Sequence, residues 1–182
     1  MQAGTVSIAA FTSAHLTVLQ RWLSKEHVRQ WYSQADENLA WAAQTPSTGS
    51  QALICVAEQP VGYIRWQTVD RKTLDSVGLN HIQSGSVDVD LLVGELSYAG
   101  KRVGPHALKL LEEKLKQDPA IPLIGLTTSQ SNRIAQRAFQ HAGFTLNGQY
   151  SPDGFGNCFL FTRNLVRPRQ ASKPKRTRPG TA

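Results

Sequence analysis

The sequence predicts a mixed α/β domain, a central sheet with helices packed around it. Two observations carry this. Runs with helical spacing of apolar residues alternate with short runs of strand character, in the order strand, helices, three strands, helix, strand, helix, two strands. One of the strands, SVDVDLLVGE at 86–95, leads through a glycine-containing loop into a helix.

The elements follow in order. TVSIAAF (5–11) suits a first strand, and Ser13 is placed to cap a helix over 14–23 in which Leu16, Leu19 and Leu23 share a face. A short helix over 25–31 and another over 37–43 come next, then a loop containing Pro46 and Gly49. QALICVAE (51–58) and VGYIRWQTV (61–69) read as a hairpin about a Gln59-Pro60 turn. Residues 70–86 hold Gly78, Asn80, Ser84 and Gly85 and read as a long loop. In 86–95, Val87, Val89 and Leu91 alternate with Asp88 and Asp90, a half-buried strand that becomes fully buried. The helix over 105–117 opens on Pro105 and turns Ala107, Leu108, Leu111 and Leu115 inward. IPLIGLTT (121–128) is another buried strand, and the helix over 132–141 stops at Gly143. Strands near 144–150 and 157–163 complete a domain spanning 1–165.

Composition narrows the class. With 182 residues, 40% of them apolar, the chain can bury a core without metal or disulfide. No apolar run reaches the roughly 20 residues that a bilayer requires, and no secretion signal opens the chain. Cys55 and Cys158 sit in apolar stretches and read as buried, reduced thiols, so a cytoplasmic location is expected. No Cys/His cluster has metal-ligand spacing. The formal charge of +7 is uneven: residues 1–165 carry 14 basic and 13 acidic side chains, whereas 166–182 carry six basic and none acidic. That tail, rich in Pro, Ser and Thr, is expected to be flexible. A solvated terminus is its plainer reading, and contact with nucleic acid or another polyanion the other. No nucleic-acid motif lies in the folded part.

The loop LSYAGKRVG before the helix is where chemistry concentrates. A helix N-terminus offers unpaired N–H groups and partial positive charge, a natural cradle for phosphate. Gly100 and Gly104 let backbone come close, and Lys101 and Arg102 add charge.

On these residues the chain resembles the GCN5-related N-acetyltransferase (GNAT) superfamily, and within it the aminoglycoside 6'-N-acetyltransferases. VDVDLLVGELSYAGKRVGPHAL (87–108) is similar to that group's strand and pyrophosphate loop, and TTSQSNRIAQRAFQHAGF (127–144) to its segment ending in Gly-Phe. RWLSKEHVRQWY (21–32), QPVGYIRWQ (59–67) and SPDG (151–154) match further pieces in the same order. The resemblance covers about residues 5–165. It implies the GNAT fold, a mixed, mostly antiparallel sheet with a splayed pair of strands, and acetyl transfer from acetyl-CoA to an amine of a small polycationic acceptor. It also implies roles. Leu91, Leu92 and Val93 pair with the pantetheine arm, and Tyr98, Ala99, Gly100, Lys101, Arg102, Val103, Gly104, Pro105 and His106 surround the pyrophosphate. Asn132 and Phe139 flank the cofactor from the far side, and Asp90 matches an acidic, catalytic residue at the acceptor amine. Trp31, Tyr32, Tyr63, Asp88, Glu95, Thr127 and Asp153 are the acceptor-side candidates. No metal is implied.

Departures from the family pattern bear on function. Ala99 and Arg102 stand at the first and fourth positions of the loop pattern, where the family commonly has Arg or Gln and Gly. Arg102 serves phosphate on the condition that its backbone needs no positive φ. Thr127-Thr128 replace Asp-Pro. Phe139 replaces a tyrosine that protonates the leaving thiolate, and a phenyl ring has no proton to give. Asp88 and Asp90 share a face about 7 Å apart, either as an acidic acceptor cleft or as a solvent-facing pair on an edge. Glu95 either joins the cleft or caps the loop. Trp31, Tyr32, Tyr63 and Trp66 are pocket walls or core. His106 lies near the phosphates, while His27, His81 and His141 read as structural or surface. No covalent nucleophile is in evidence, so a neutral amine attacks the thioester directly, with backbone N–H near Val93 polarising the carbonyl. Peptide N-acetylation, and a CoA- or amine-binding module with little turnover, are the alternatives. Monomer and homodimer are both compatible with the sequence.

Overall fold

The computed structural model describes residues 4–151 and 156–165. The tail 166–182 and Asp153 lie outside the described residues. Seven strands form one sheet in the order β1-β2-β3-β4-β5-β7-β6. They are β1 (Val6–Ala10), β2 (Gly49–Val56), β3 (Gln59–Thr68), β4 (Val87–Val93), β5 (Leu123–Ser129), β6 (Thr145–Tyr150) and β7 (Cys158–Asn164). Every pairing is antiparallel except β4 with β5. Six α-helices cover it: α1 (Leu16–Ser24), α2 (Glu26–Arg29), α3 (Ala35–Ala43), α4 (Arg71–Ser76), α5 (Val103–Leu115) and α6 (Arg133–His141).

The two faces of the sheet fill separately. Ile54, Ile64 and Val89 point to one face and meet Leu108 and Leu111 of α5 and Phe139 of α6. Leu53, Tyr63 and Leu92 point to the other and meet Leu19, Trp22 and Leu23 of α1. Each fully buried aliphatic side chain contributes about 1.5–3 kcal/mol. A third cluster, Leu74, Ile82, Leu123 and Leu160, seats α4 beyond β5.

Several boundaries differ from expectation. Thr12, not Ser13, accompanies the start of the first helical region, a 3₁₀ turn over Ser13–His15 that precedes α1. The helix expected over 25–31 is only four residues long. The hairpin turns at Ala57 and Glu58, both with positive φ, and Pro60 already lies in β3 opposite Cys55. A two-residue turn of this kind matches the strand twist, which overrides the pull of Pro60. The stretch read as loop contains α4, capped by Asp70, whose Oδ1 accepts from the Thr73 N–H at 2.8 Å. Helix α5 starts two residues early, at Val103, because Arg102 itself is the left-handed cap. Strand β4 is interior, so Asp88 and Asp90 are not an edge pair.

The end of β4 is clamped. Gly94 and Glu95 both donate N–H to the Val61 carbonyl, at 2.8 and 3.0 Å. The Glu95 carboxylate accepts from Lys25 Nζ at 2.6 Å, the Trp22 indole at 2.7 Å and Arg21 at 3.0 Å. Those bonds, Lys25's first, hold it below the usual carboxylate range. Trp22 is fully buried and its ring lies so close over Gly94 that a β-carbon there would overlap it. Gly94→Ala is therefore expected to destabilise the fold by about 1–3 kcal/mol, the range for overpacking, seen as a lower urea midpoint. An unchanged midpoint refutes this packing.

Candidate active site

Strands β4 and β5 are paired only at Val87–Ile124 and Asp88–Gly125. Beyond that point they part, while β4 stays paired with β3 through Val93. The carbonyls of Leu91 and Val93 face the opening. Tyr32 Oη donates to Leu91 O at 2.6 Å, and His27 Nε2 lies 3.2 Å from Val93 O, where it must carry the proton. In a strand the N–H of a residue points with its C=O, so the Leu91 and Val93 amides face the same gap.

The gap widens into a cleft of about 1100 Å³. One end is roofed by the start of α5. There Val103 and Gly104 offer N–H groups with no intrahelical acceptor, at the positive end of a 13-residue helix. Gly100 has φ +74°, and a β-carbon on Gly104 would press on Leu91 at 3.3 Å. Arg102 has φ +61°, so the condition set on it fails: the position keeps the left-handed backbone that suits glycine, at a cost of about 1–2 kcal/mol. Across the gap, Asn132 caps α6, its Oδ1 accepting from Ala135 N–H at 3.1 Å, and Phe139 packs edge-on against Phe161.

The other end opens on the α1–α3 face. Asp88 and Asp90 form its floor with Thr127, and Trp31 and Tyr32 form a wall. Arg65 stands directly opposite Asp90, and its Nε and Nη2 both donate to Asp90 Oδ2, at 3.0 and 2.8 Å. Burial first, and Asp90 second, raise the Asp88 carboxyl to about 7. Ionising Asp88 in the fold is thus unfavourable, so its contribution to stability is full at low pH and falls as pH rises from the ordinary carboxylate value towards 7. Burial likewise pushes the Tyr32 phenol up, keeping it protonated.

The cleft therefore gathers Trp31, Tyr32, Asp88, Asp90, Leu91, Leu92, Val93, Tyr98, Ala99, Gly100, Arg102, Val103, Gly104, Pro105, Thr127, Asn132 and Phe139. It does not gather the rest. Tyr63 is buried core, donating to Gln51 Oε1 at 2.7 Å, and Trp66 is core as well. Glu95 faces α1 in its clamp. Lys101 and His106 are exposed beside the loop, outside the cleft wall. His27 and His141, read as structural or surface, do line it. Arg65 was not singled out, although an arginine in the alternating 61–69 strand was a visible signal.

The chain belongs to the GNAT acetyltransferase family, whose domain model matches residues 12–151. It is 28% identical over 160 residues to an aminoglycoside N(6')-acetyltransferase type 1 of Klebsiella pneumoniae, covering 82% of this chain and 79% of that enzyme. The fold is similar to a crystal structure of aminoglycoside acetyltransferase AAC(6')-Ib in complex with coenzyme A and kanamycin, with TM-score 0.76, 20% identity, and 88% of this chain and 95% of that one covered. It is also similar to RimL, a ribosomal L7/L12 α-N-protein acetyltransferase in complex with coenzyme A, with TM-score 0.69, 12% identity, and 88% and 94% covered. The protein is an acetyl-CoA-dependent N-acetyltransferase. The donor set fits that cofactor: free helix-end amides for a pyrophosphate, and Leu91 and Val93 amides facing no neighbouring strand for a pantetheine arm. Among the described residues no helix is long and apolar enough to cross a membrane.

Acetyl-CoA at 100 times its Kd should stabilise the fold by about 2.7 kcal/mol, read as a higher Tm. Gly104→Asp is expected to abolish that shift by placing bulk and negative charge at the helix end. Arg102→Gly should raise the Tm of the protein alone by relieving the left-handed arginine. A Gly104→Asp protein with a full shift places the phosphates elsewhere.

Proposed function

We propose that this chain acetylates a primary amine of a small polycationic acceptor of the aminoglycoside class. One observation carries the reading. Asp88 and Asp90 lie on one face of β4 where β4 and β5 part, so carboxylates border the acceptor groove while the same strand's backbone edge lines the other side of the opening.

Acetyl-CoA, when bound, supplies an acetyl group activated as a thioester. The amides of Val103 and Gly104 are suited to its pyrophosphate, and the backbone of Leu91 and Val93 to its pantetheine arm. Asn132 stands on the opposite strand's side of the gap. Asp90 is suited to orient the acceptor's ammonium, since its Oδ2 is occupied by Arg65 and Oδ1 remains for a cation. Trp31 and Tyr32 present aromatic faces, which attract cations. The Val93 amide points into the gap, where it can polarise a carbonyl. Phe139 gives no proton, so water protonates the departing thiolate. The enzyme acts in the cytoplasm, as monomer or homodimer.

The test is thiol release from acetyl-CoA with kanamycin or with a lysine-containing peptide as acceptor. Kanamycin-dependent release is expected. Release with the peptide alone moves the acceptor class to proteins. No release with either, while acetyl-CoA still raises the Tm, leaves a CoA-binding module.

A further inference from the structure

We infer that Arg65 divides the work of the two carboxylates: Asp90, held in place by two hydrogen bonds, anchors the acceptor's ammonium, and Asp88, one pleat deeper, takes the proton from it. The inference rests on acetyl transfer to an amine, as proposed above. It assigns the base to a residue other than Asp90.

The strand register sets the arrangement. Arg65 is opposite Asp90, while the neutral Gln67 is opposite Asp88. Arg65 Nε and Nη2 are both engaged with Asp90 Oδ2, and the guanidinium lies 4.8 Å over the Trp41 ring of α3. On its other side Asp88 is paired with Gly125 of β5, which has no side chain to cover it. The charged and titratable groups facing Asp88 are Asp90 on β4, Arg65 on β3 and Tyr32 after α2. From the remaining neighbours come Trp41 and Asn38 of α3, Thr73 and Leu74 of α4 and Thr127 of β5, none of which titrates.

A guanidinium bonded through two N–H groups to one carboxylate oxygen fixes that carboxylate's orientation. Asp90 then keeps one orientation, with Oδ1 turned to the ammonium. Asp88 lacks such a partner and is half-buried on the floor of the cleft. A base is most effective when it titrates near the working pH, and Asp88 is raised to about 7. In the step itself one N–H bond of the ammonium breaks, its electron pair stays on nitrogen, and the proton passes along water in the cleft to the Asp88 carboxylate. The nitrogen pair then forms the C–N bond as the thioester C–S bond breaks and sulfur keeps that pair. The surplus N–H proton passes through water to the thiolate, and Asp88 returns its proton to solvent. One acetyl group is moved, and one thiol and one proton are released.

The experiment uses the full chain, kanamycin as acceptor, and kcat/KM measured against pH. Wild type should show an acid limb near pH 7. Asp88→Asn should lower kcat/KM by about 10²-fold or more and remove the limb. Asp90→Asn should raise KM and keep the limb, moved to lower pH because a carboxylate that raises Asp88 is gone. Arg65→Met should move the limb to higher pH, because it removes the cation that favours ionised Asp88 and leaves two carboxylates facing each other. That shift is one a merely structural role for Arg65 does not produce. A limb that persists in Asp88→Asn and disappears in Asp90→Asn overturns the assignment. If kanamycin is not acetylated at all, the acceptor reading fails, and the assignment is decided separately by carboxyl ¹³C NMR. In that measurement a resonance titrating near neutrality must vanish in Asp88→Asn and move up in Arg65→Met. A carboxyl of Asp88 titrating in the ordinary range overturns it.

Discussion

A sheet that parts in its own interior creates a debt of hydrogen bonds, and the architecture of this protein is organised around that constraint. Buried backbone groups are almost always paired. Beyond Asp88 the open edge of β4 has no neighbouring strand. Two of its carbonyls are met by side chains from the segment around α2, His27 and Tyr32. The amides beside them face the gap, where a ligand with alternating donors and acceptors can lie as a strand does. The same parting lets a molecule on the α5 side meet one on the α1 side, which is what a group transfer between two substrates requires.

Charge is distributed to suit two unlike ligands. The start of α5 brings partial positive charge and Arg102 to one end of the cleft, and the other end holds Asp88 and Asp90. The third carboxylate nearby, Glu95, is spent on structure. It ties Lys25, Trp22 and Arg21 to the last turn of β4, fixing α1 against the strand that carries the site. Three acidic residues within eight positions of sequence thus have three different surroundings. Their identities alone did not distinguish them.

Much of the fold was legible because period and burial agree. The alternation of Val87 and Val89 with Asp88 and Asp90 gave the strand and its polar face, and both carboxylates line the cleft. The β2–β3 hairpin was legible too, but not its turn, since two residues with positive φ at Ala57 and Glu58 leave no mark in residue type. Helix α4 was missed because its six residues present one buried apolar side chain, Leu74, and are held by a cap and by packing rather than by period. Arg65 escaped notice for a different reason. Its partner is 25 residues away and is fixed only by strand register. His27 was hidden likewise, being placed by the fold against Val93, 66 residues on. Spacing arguments see neighbours along the chain, whereas the electrostatics of the site are set by neighbours across it.

The two-residue pairing between β4 and β5 has a consequence for how the molecule lives in a cell. It is the narrowest joint in the sheet, linking a four-stranded half to a three-stranded half, with α5 as the crossover between them. Regions with few shared hydrogen bonds open at lower free energy than the whole molecule unfolds. A cofactor lying between the halves braces that joint, and it does so in proportion to its concentration. Proteolysis that acts through transient opening follows the population of the open form. Acetyl-CoA bound between the halves therefore slows cleavage that proceeds through that opening.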